Sequence, residues 1–250
     1  GSHLFFNQTT QSGQPVFVDE AADRGVPLQF DEGAKFVDWN NDGNLDLVLL
    51  VPWAGPQLYE SNGNSFHFVN AMPGAITWNQ VTGLNAADVD GDGRTDLVAA
   101  GGCAVGYVEE CSFVGAPHET PRLLLNRGSS FVQSDYFDDG FSDDLQRPLG
   151  DLQTVADFDA NVTLDLAIRY PEVSPTIGMT GNGTTKILMN RANSARSIHV
   201  TVLGDAGQHN QFGRVVHISV LAKPGFVMTD VVDGGSGYMA NTPYTLQFAA

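Results

Sequence analysis

The chain has 250 residues, 42% of them hydrophobic, enough to bury one large core or two smaller ones. Asp and Glu number 29 against 12 Lys and Arg, a net charge of −17; a field of that sign repels nucleic acid and anionic membrane surfaces and excludes both as partners. No apolar run approaches the ~18 residues of a membrane span.

The opening Gly1-Ser2-His3 reads as a cloning scar. Residues 4–18 (LFFNQTTQSGQPVFV) then predict two short strands joined by a Gly/Asn turn. Next comes FVDWNNDGNLDLVLL at 36–50, an apolar strand, an Asp-rich turn and a second strand, followed by the strand pair PQLYESNGNSFHFV at 56–69. The same two phrases recur as AADVDGDGRTDLVAA at 86–100 with PRLLLNRGSSFV at 121–132, and as VADFDANVTLDLAIR at 155–169 with TKILMNRANS at 185–194. Each unit reads as four antiparallel strands, and no segment carries a 3.6-residue apolar period of helical length. The fold class is therefore all-β, of the kind in which propeller blades repeat around an axis and tolerate loops of variable length.

Three units plus a lone hairpin suggest domains at 4–27 (the outer hairpin of an incomplete blade), 28–195 (three blades) and 196–250 (a small β domain). The hairpin implies either a longer propeller cut inside a blade or a clasp that completes the last blade. Missing blades or another chain are thus expected partners, because open blade edges invite pairing. In the third segment SIHVTVLG, RVVHISVLA, GFVMTDVV and YTLQFAA read as strands.

The turns carry the chemistry. Their form is D-x-[DN]-x-[DN]-G-x-x-D-L. The first copy supplies Asp38, Asn40, Asp42, Gly43, Asn44 and Asp46; the second supplies Asp88, Asp90, Asp92, Gly93, Arg94 and Asp96. Ca²⁺ takes six to eight oxygens, and a chain coiling around it offers alternate side chains at positions one, three and five. Glycine at position six supplies a left-handed turn. Position seven offers its backbone carbonyl, so Arg94 is tolerated there, and the Asp at position nine can chelate with both oxygens. The third copy, Asp157, Asp159, Asn161, Val162, Thr163 and Asp165, places valine at the turn, where a positive φ strains it. Two Ca²⁺ ions are expected and a third is open. Without metal, so many close carboxylates would repel one another and shift towards neutrality. Ten of the 29 acids lie in these loops, and three ions would bring −17 to −11.

The repeated phrase resembles the FG-GAP/VCBS repeats of integrin-α-like β-propellers. NQFGRVVHISV (210–220) and GGSGYMANTPYTLQF (234–248) resemble the ASPIC/UnbV domain that follows such repeats in cartilage-acidic-protein-like secreted proteins. The tail departs from that pattern by one glycine and by stopping before the usual Gly-Leu-Gly. The resemblance implies a secreted propeller stiffened by Ca²⁺ that docks partners on its loops. It names no reaction.

Other features weigh less. Cys103 and Cys111, in a Gly-rich loop, suggest a local disulfide or two core thiols. Sequons at Asn7, Asn161 and Asn182 point to an extracellular glycoprotein. Strand residues His199 and His217 read as structural. HETPR at 118–122 lacks the second histidine of a zinc helix, and the glycines about Ser236 are wrongly spaced for a nucleophile elbow. One functional reading is a binding or adhesion module for carbohydrate, protein or a small ligand, with Trp53, Trp78 and Tyr107 as stacking aromatics. The alternative is an enzyme (hydrolase, lyase or cyclase) using His118 and Glu119, or the acids Asp135, Asp138, Asp139, Asp143 and Asp144, in the long loops or at a subunit junction.

Overall fold

The structure is a computed structural model that describes residues 2–10, 13–29, 31, 33–51, 54–72, 83–100, 122–134, 152–174, 178–191, 197–203, 214–219, 224, 226–232 and 245–249. Every regular element among them is a strand. β1 (Phe5–Asn7) and β2 (Phe17–Asp19) form the N-terminal hairpin. β3 (Gly33–Val37), β4 (Asp46–Val51), β5 (Gly55–Ser61) and β6 (Phe66–Val69) form a four-stranded antiparallel meander, here unit 1. β7 (Gly83–Ala87), β8 (Asp96–Ala100), β9 (Arg122–Asn126) and β10 (Phe131–Ser134) repeat it as unit 2. β11 (Leu152–Ala156), β12 (Asp165–Ser174) and β13 (Gly178–Leu188) form the three-stranded unit 3. Among the described residues no sheet closes into a barrel and no propeller ring is complete.

The units stack face to face in chain order, and the sequence shows why. A strand buried on both faces must be apolar at every position rather than at alternate ones. β4 is such a strand: Leu47 and Leu49 pack with Ala21, Val26 and Tyr59 beneath the N-terminal hairpin, while Val48 and Leu50 enter a core shared with unit 2. That shared core joins Val37, Trp39 and Leu58 to Leu84, Leu97, Leu124 and Phe131. On the opposite face of unit 2, Val98, Leu123 and Leu125 meet Val155, Leu166 and Ile168 of unit 3.

The join between neighbours repeats as well. Phe131 N–H, opening β10, donates to Ala71 O at 2.7 Å, and Phe66 N–H, opening β6, donates to Arg24 O at 2.7 Å. The hairpin end therefore stands to unit 1 as the end of unit 1 stands to unit 2.

β14 (Ser197–Thr201) pairs with β17 (Thr245–Ala249), and β15 (Arg214–Ser219) pairs with β16 (Val227–Val232). Met228, Val232, Leu246 and Phe248 form their own small core. β16 lies against β3, so these strands sit beside the first strands of the stacked units, where the Asp-rich loops begin. His217, expected to be structural, lies opposite Thr229 and shares a 3.0 Å hydrogen bond with its hydroxyl.

A candidate metal centre in each repeated loop

Each Asp-rich loop joins the first two strands of its unit, and all three loops fold around one hydrogen-bond frame. The position-one carboxylate accepts two backbone N–H groups. Asp38 accepts from Asp42 and Gly43 (both 3.1 Å), Asp88 from Asp92 (3.1 Å) and Gly93 (2.8 Å), and Asp157 from Asn161 and Val162 (both 3.0 Å). Those bonds curl the chain through left-handed residues at positions four and six: Asn41 (φ 58°) and Gly43 (91°), Gly91 (76°) and Gly93 (86°), Ala160 (59°) and Val162 (73°). The strain expected of Val162 is thus present, and Ala160 adds a second residue with a Cβ in the same region.

The position-nine aspartates Asp46, Asp96 and Asp165 are all buried. One oxygen of each accepts the position-two N–H (Trp39 3.0 Å, Val89 2.9 Å, Phe158 2.8 Å). The other accepts an N–H at the end of the unit's third strand (Ser61 2.7 Å, Asn126 2.8 Å, Asn190 2.7 Å). Both oxygens are therefore already engaged in tying loop to sheet, which narrows the bidentate role expected of them. A carboxylate oxygen with one hydrogen bond retains a second lone pair for a cation.

Asp42, Asp92 and Asn161 each accept the position-seven N–H (Asn44 2.7 Å, Arg94 2.9 Å, Thr163 2.8 Å) and close an Asx turn. The carboxylates that converge are those at positions one, three and nine. Asp88, Asp90 and Asp96 bring ligand oxygens within 4.8 Å of one another, as do Asp157, Asp159 and Asp165. In the first loop Asn40 holds position three, and its amide donates to Asp42 at 3.1 Å while its oxygen accepts the Asp42 N–H.

The donor set suits a hard divalent cation, all oxygen and mostly anionic. One atom shows the fit directly. Asp90, a member of the convergent triad, has a buried Oδ1 with no hydrogen-bond partner. Burial pushes Asp46 and Asp96 up to about 7 and Asp88 to about 6, and raises Asp38 as well, with the neighbouring loop carboxylates adding to each shift.

Three groups of residues went unread in the sequence. Asn126 and Asn190 send their side-chain amides across to the preceding unit, to Trp39 O (2.6 Å) and Val89 O (2.8 Å). Arg127 donates to Asp90 Oδ2 at 2.7 Å and Arg191 to Asp159 Oδ2 at 3.3 Å. The carboxylate of Asp90 holds the Arg127 guanidinium above its ordinary pKa. The available signal was the repeated Asn-Arg after the third strand, in LLLNRG and ILMNRA. Finally, the C-terminal strands touch two loops. Val227 N–H meets Asn41 O at 3.4 Å, Thr229 donates to Asp38, and Gln247 (2.6 Å) and Ser197 (3.3 Å) both donate to Val162 O.

The Asn161 sequon is engaged in this architecture: its Nδ2 donates to Asn190 O at 3.1 Å, and Thr163 is buried. Asn7 is exposed. His118, Glu119, Cys103, Cys111, Trp53, Trp78, Tyr107, Ser236 and the acids Asp135, Asp138, Asp139, Asp143 and Asp144 lie outside the described residues, as does the side chain of Asn182.

Compared with known families, residues 38–99 match an FG-GAP-like repeat. The match runs from Asp38 of loop one through loop two into β8. No curated protein matches the chain.

Proposed function

We propose that the chain is a calcium-stabilised β-propeller-type module that serves extracellularly as a binding or adhesion unit for carbohydrate or protein. The supporting observation is the threefold repetition of one loop frame, two of its copies presenting a convergent aspartate triad, with the first two copies inside the stretch that matches an FG-GAP-like repeat. In this reading the three stacked units are blades (28–195), residues 4–27 are the outer hairpin of an incomplete blade, and residues 196–250 form an ASPIC/UnbV-like β domain. Asp38, Asp88, Asp90, Asp96, Asp157, Asp159 and Asp165 hold the ions, with Asn40, Asp42, Asp46, Asp92, Asn161 and the position-seven carbonyls of Asn44, Arg94 and Thr163 completing them.

Calcium here is structural: it neutralises carboxylates that the fold has already gathered. Extracellular Ca²⁺ lies in the range that such modules use, at dissociation constants of about 10⁻⁴–10⁻³ M. The cavity between the C-terminal strands and the loops, lined by Lys35, Asn41, Asp88, Thr229 and Gln247, has about 50 Å³. A small-ligand pocket has roughly 300–1,000 Å³, so this cavity is too small to be one.

Screening the protein on glycan and extracellular-protein arrays, in Ca²⁺ and after EDTA, tests the reading. Partners bound in Ca²⁺ and lost in EDTA are expected. Turnover of a substrate without any retained partner would instead make it an enzyme.

A further inference from the structure

The hydrogen bond from each position-nine aspartate to the end of the third strand aligns the units residue by residue: Ser61, Asn126 and Asn190 are equivalent, and so are the next residues, Asn62, Arg127 and Arg191. Across the three units this position changes together with loop position three. Asp90 faces Arg127 and Asp159 faces Arg191. In unit 1, where position three is the neutral Asn40, the counterpart is the neutral Asn62, which instead caps its own turn by accepting the N–H groups of Asn64 (3.0 Å) and Ser65 (2.9 Å).

The two oxygens of Asp90 are in different situations. Oδ2 accepts from the exposed side chain of Arg127 at 2.7 Å, whereas Oδ1 is buried with no hydrogen-bond partner. We propose that Arg127 is a positioning residue for the divalent cation of loop two: by holding Oδ2 of Asp90 it presents Oδ1 to the ion in a single-oxygen mode. Arg191 does the same for Asp159 in loop three, and loop one, with an amide at position three, needs no such group. This inference rests on the reading of the loops as cation sites.

The opposite role for an arginine here is simple competition, its charge offsetting the carboxylates that the cation needs. The two roles differ in sign. Removing a competing positive charge beside a cation site raises affinity for the cation, whereas removing the partner that orients a ligand lowers it, by about tenfold at the mild end of such effects. Arg127 is 44% exposed, so its replacement leaves the core intact.

The test is hydrogen exchange of wild type, R127M and R127K across a Ca²⁺ titration, followed separately in segments 38–46, 88–96 and 157–165. For R127M the midpoint in 88–96 is expected to move to about tenfold higher Ca²⁺, with the 38–46 midpoint unchanged and R127K recovering part of the shift. R191M is expected to do the same in 157–165 alone. A midpoint in 88–96 that stays put or moves to lower Ca²⁺ overturns the positioning role while leaving the cation sites standing. No Ca²⁺-dependent protection in any wild-type loop overturns both.

Discussion

The side-chain amide of Asn190 donates to the backbone carbonyl of Val89, 2.8 Å away in the preceding unit, and also to Leu164 O in its own loop. Asn126 does the same one unit earlier, reaching Trp39 O at 2.6 Å and Thr95 O at 3.2 Å. One amide therefore satisfies two carbonyls from different sheets, at the place where loop and sheet meet. Replacing Asn126 with alanine strands both, at about 1–3 kcal/mol for each buried group left unpaired. We expect N126A to lower the chemical-denaturation midpoint by an amount equivalent to at least about 2 kcal/mol. Ser61, at the equivalent place in unit 1, is short, and S61A is expected to cost less than half as much. Equal losses in the two variants would contradict the latch.

At position six loop three pays a conformational cost that its siblings avoid. Val162 (φ 73°) and Ala160 (φ 59°) hold the left-handed geometry that glycine holds in the second loop. A left-handed L-residue costs roughly 1–2 kcal/mol, and glycine gives back part of that gain in unfolded-chain entropy. V162G is expected to stabilise the protein by about 1 kcal/mol and to tighten Ca²⁺ binding in loop three. G43A, at the matching place in loop one, is expected to destabilise by a similar amount. Paired melting curves in saturating Ca²⁺ check both signs.

The pH dependence follows from the raised carboxyls. Asp46 and Asp96 titrate near 7 and Asp88 near 6 in the folded chain, whereas unfolded aspartates titrate near ~4. Between those values the folded chain holds more protons than the unfolded one, so the stability these groups contribute is present below ~4 and is lost as pH rises through 6–7. Metal-stripped protein is expected to melt at progressively lower temperature from pH 4 to pH 7. Added Ca²⁺ displaces those protons, so its stabilising effect should grow over the same window. A melting temperature of metal-stripped protein that rises across this range would contradict the burial of these groups.

Contacts from the C-terminal strands fall on the left-handed turns themselves: Val227 N–H on Asn41 O, Gln247 and Ser197 on Val162 O. Collapse of a turn removes its acceptor. Chelation is therefore expected to raise hydrogen exchange in β14, β16 and β17 along with the loops. Q247L is expected to uncouple β17 from loop three without reducing Ca²⁺ stoichiometry. Exchange in β17 that ignores chelation would separate the two regions.

The strands and the loops were legible in the sequence because their signals are local. All four C-terminal strand segments were found, and the continuous burial of β4, with alternate side chains entering opposite cores, explains why uniformly apolar runs such as DLVLLV are strands packed on both faces. At position five the side chain can ligate and can equally close a turn, as Asp42, Asp92 and Asn161 do, and spacing alone does not separate the two. Asn126, Asn190, Arg127 and Arg191 escaped notice because their partners lie far away in sequence, Val89 being 101 residues from Asn190. The pairing of β14 with β17 around β15 and β16 is equally non-local, since hydrophobic pattern marks strands and not their neighbours.

Native mass spectrometry of the purified protein, before and after chelation, tests the central claim most directly, because it counts bound ions per chain. The account predicts two or three Ca²⁺ per chain, removed by EGTA and restored by added Ca²⁺. A chain that carries none, and takes up none at millimolar Ca²⁺, would contradict it and leave the loops as hydrogen-bonded turns.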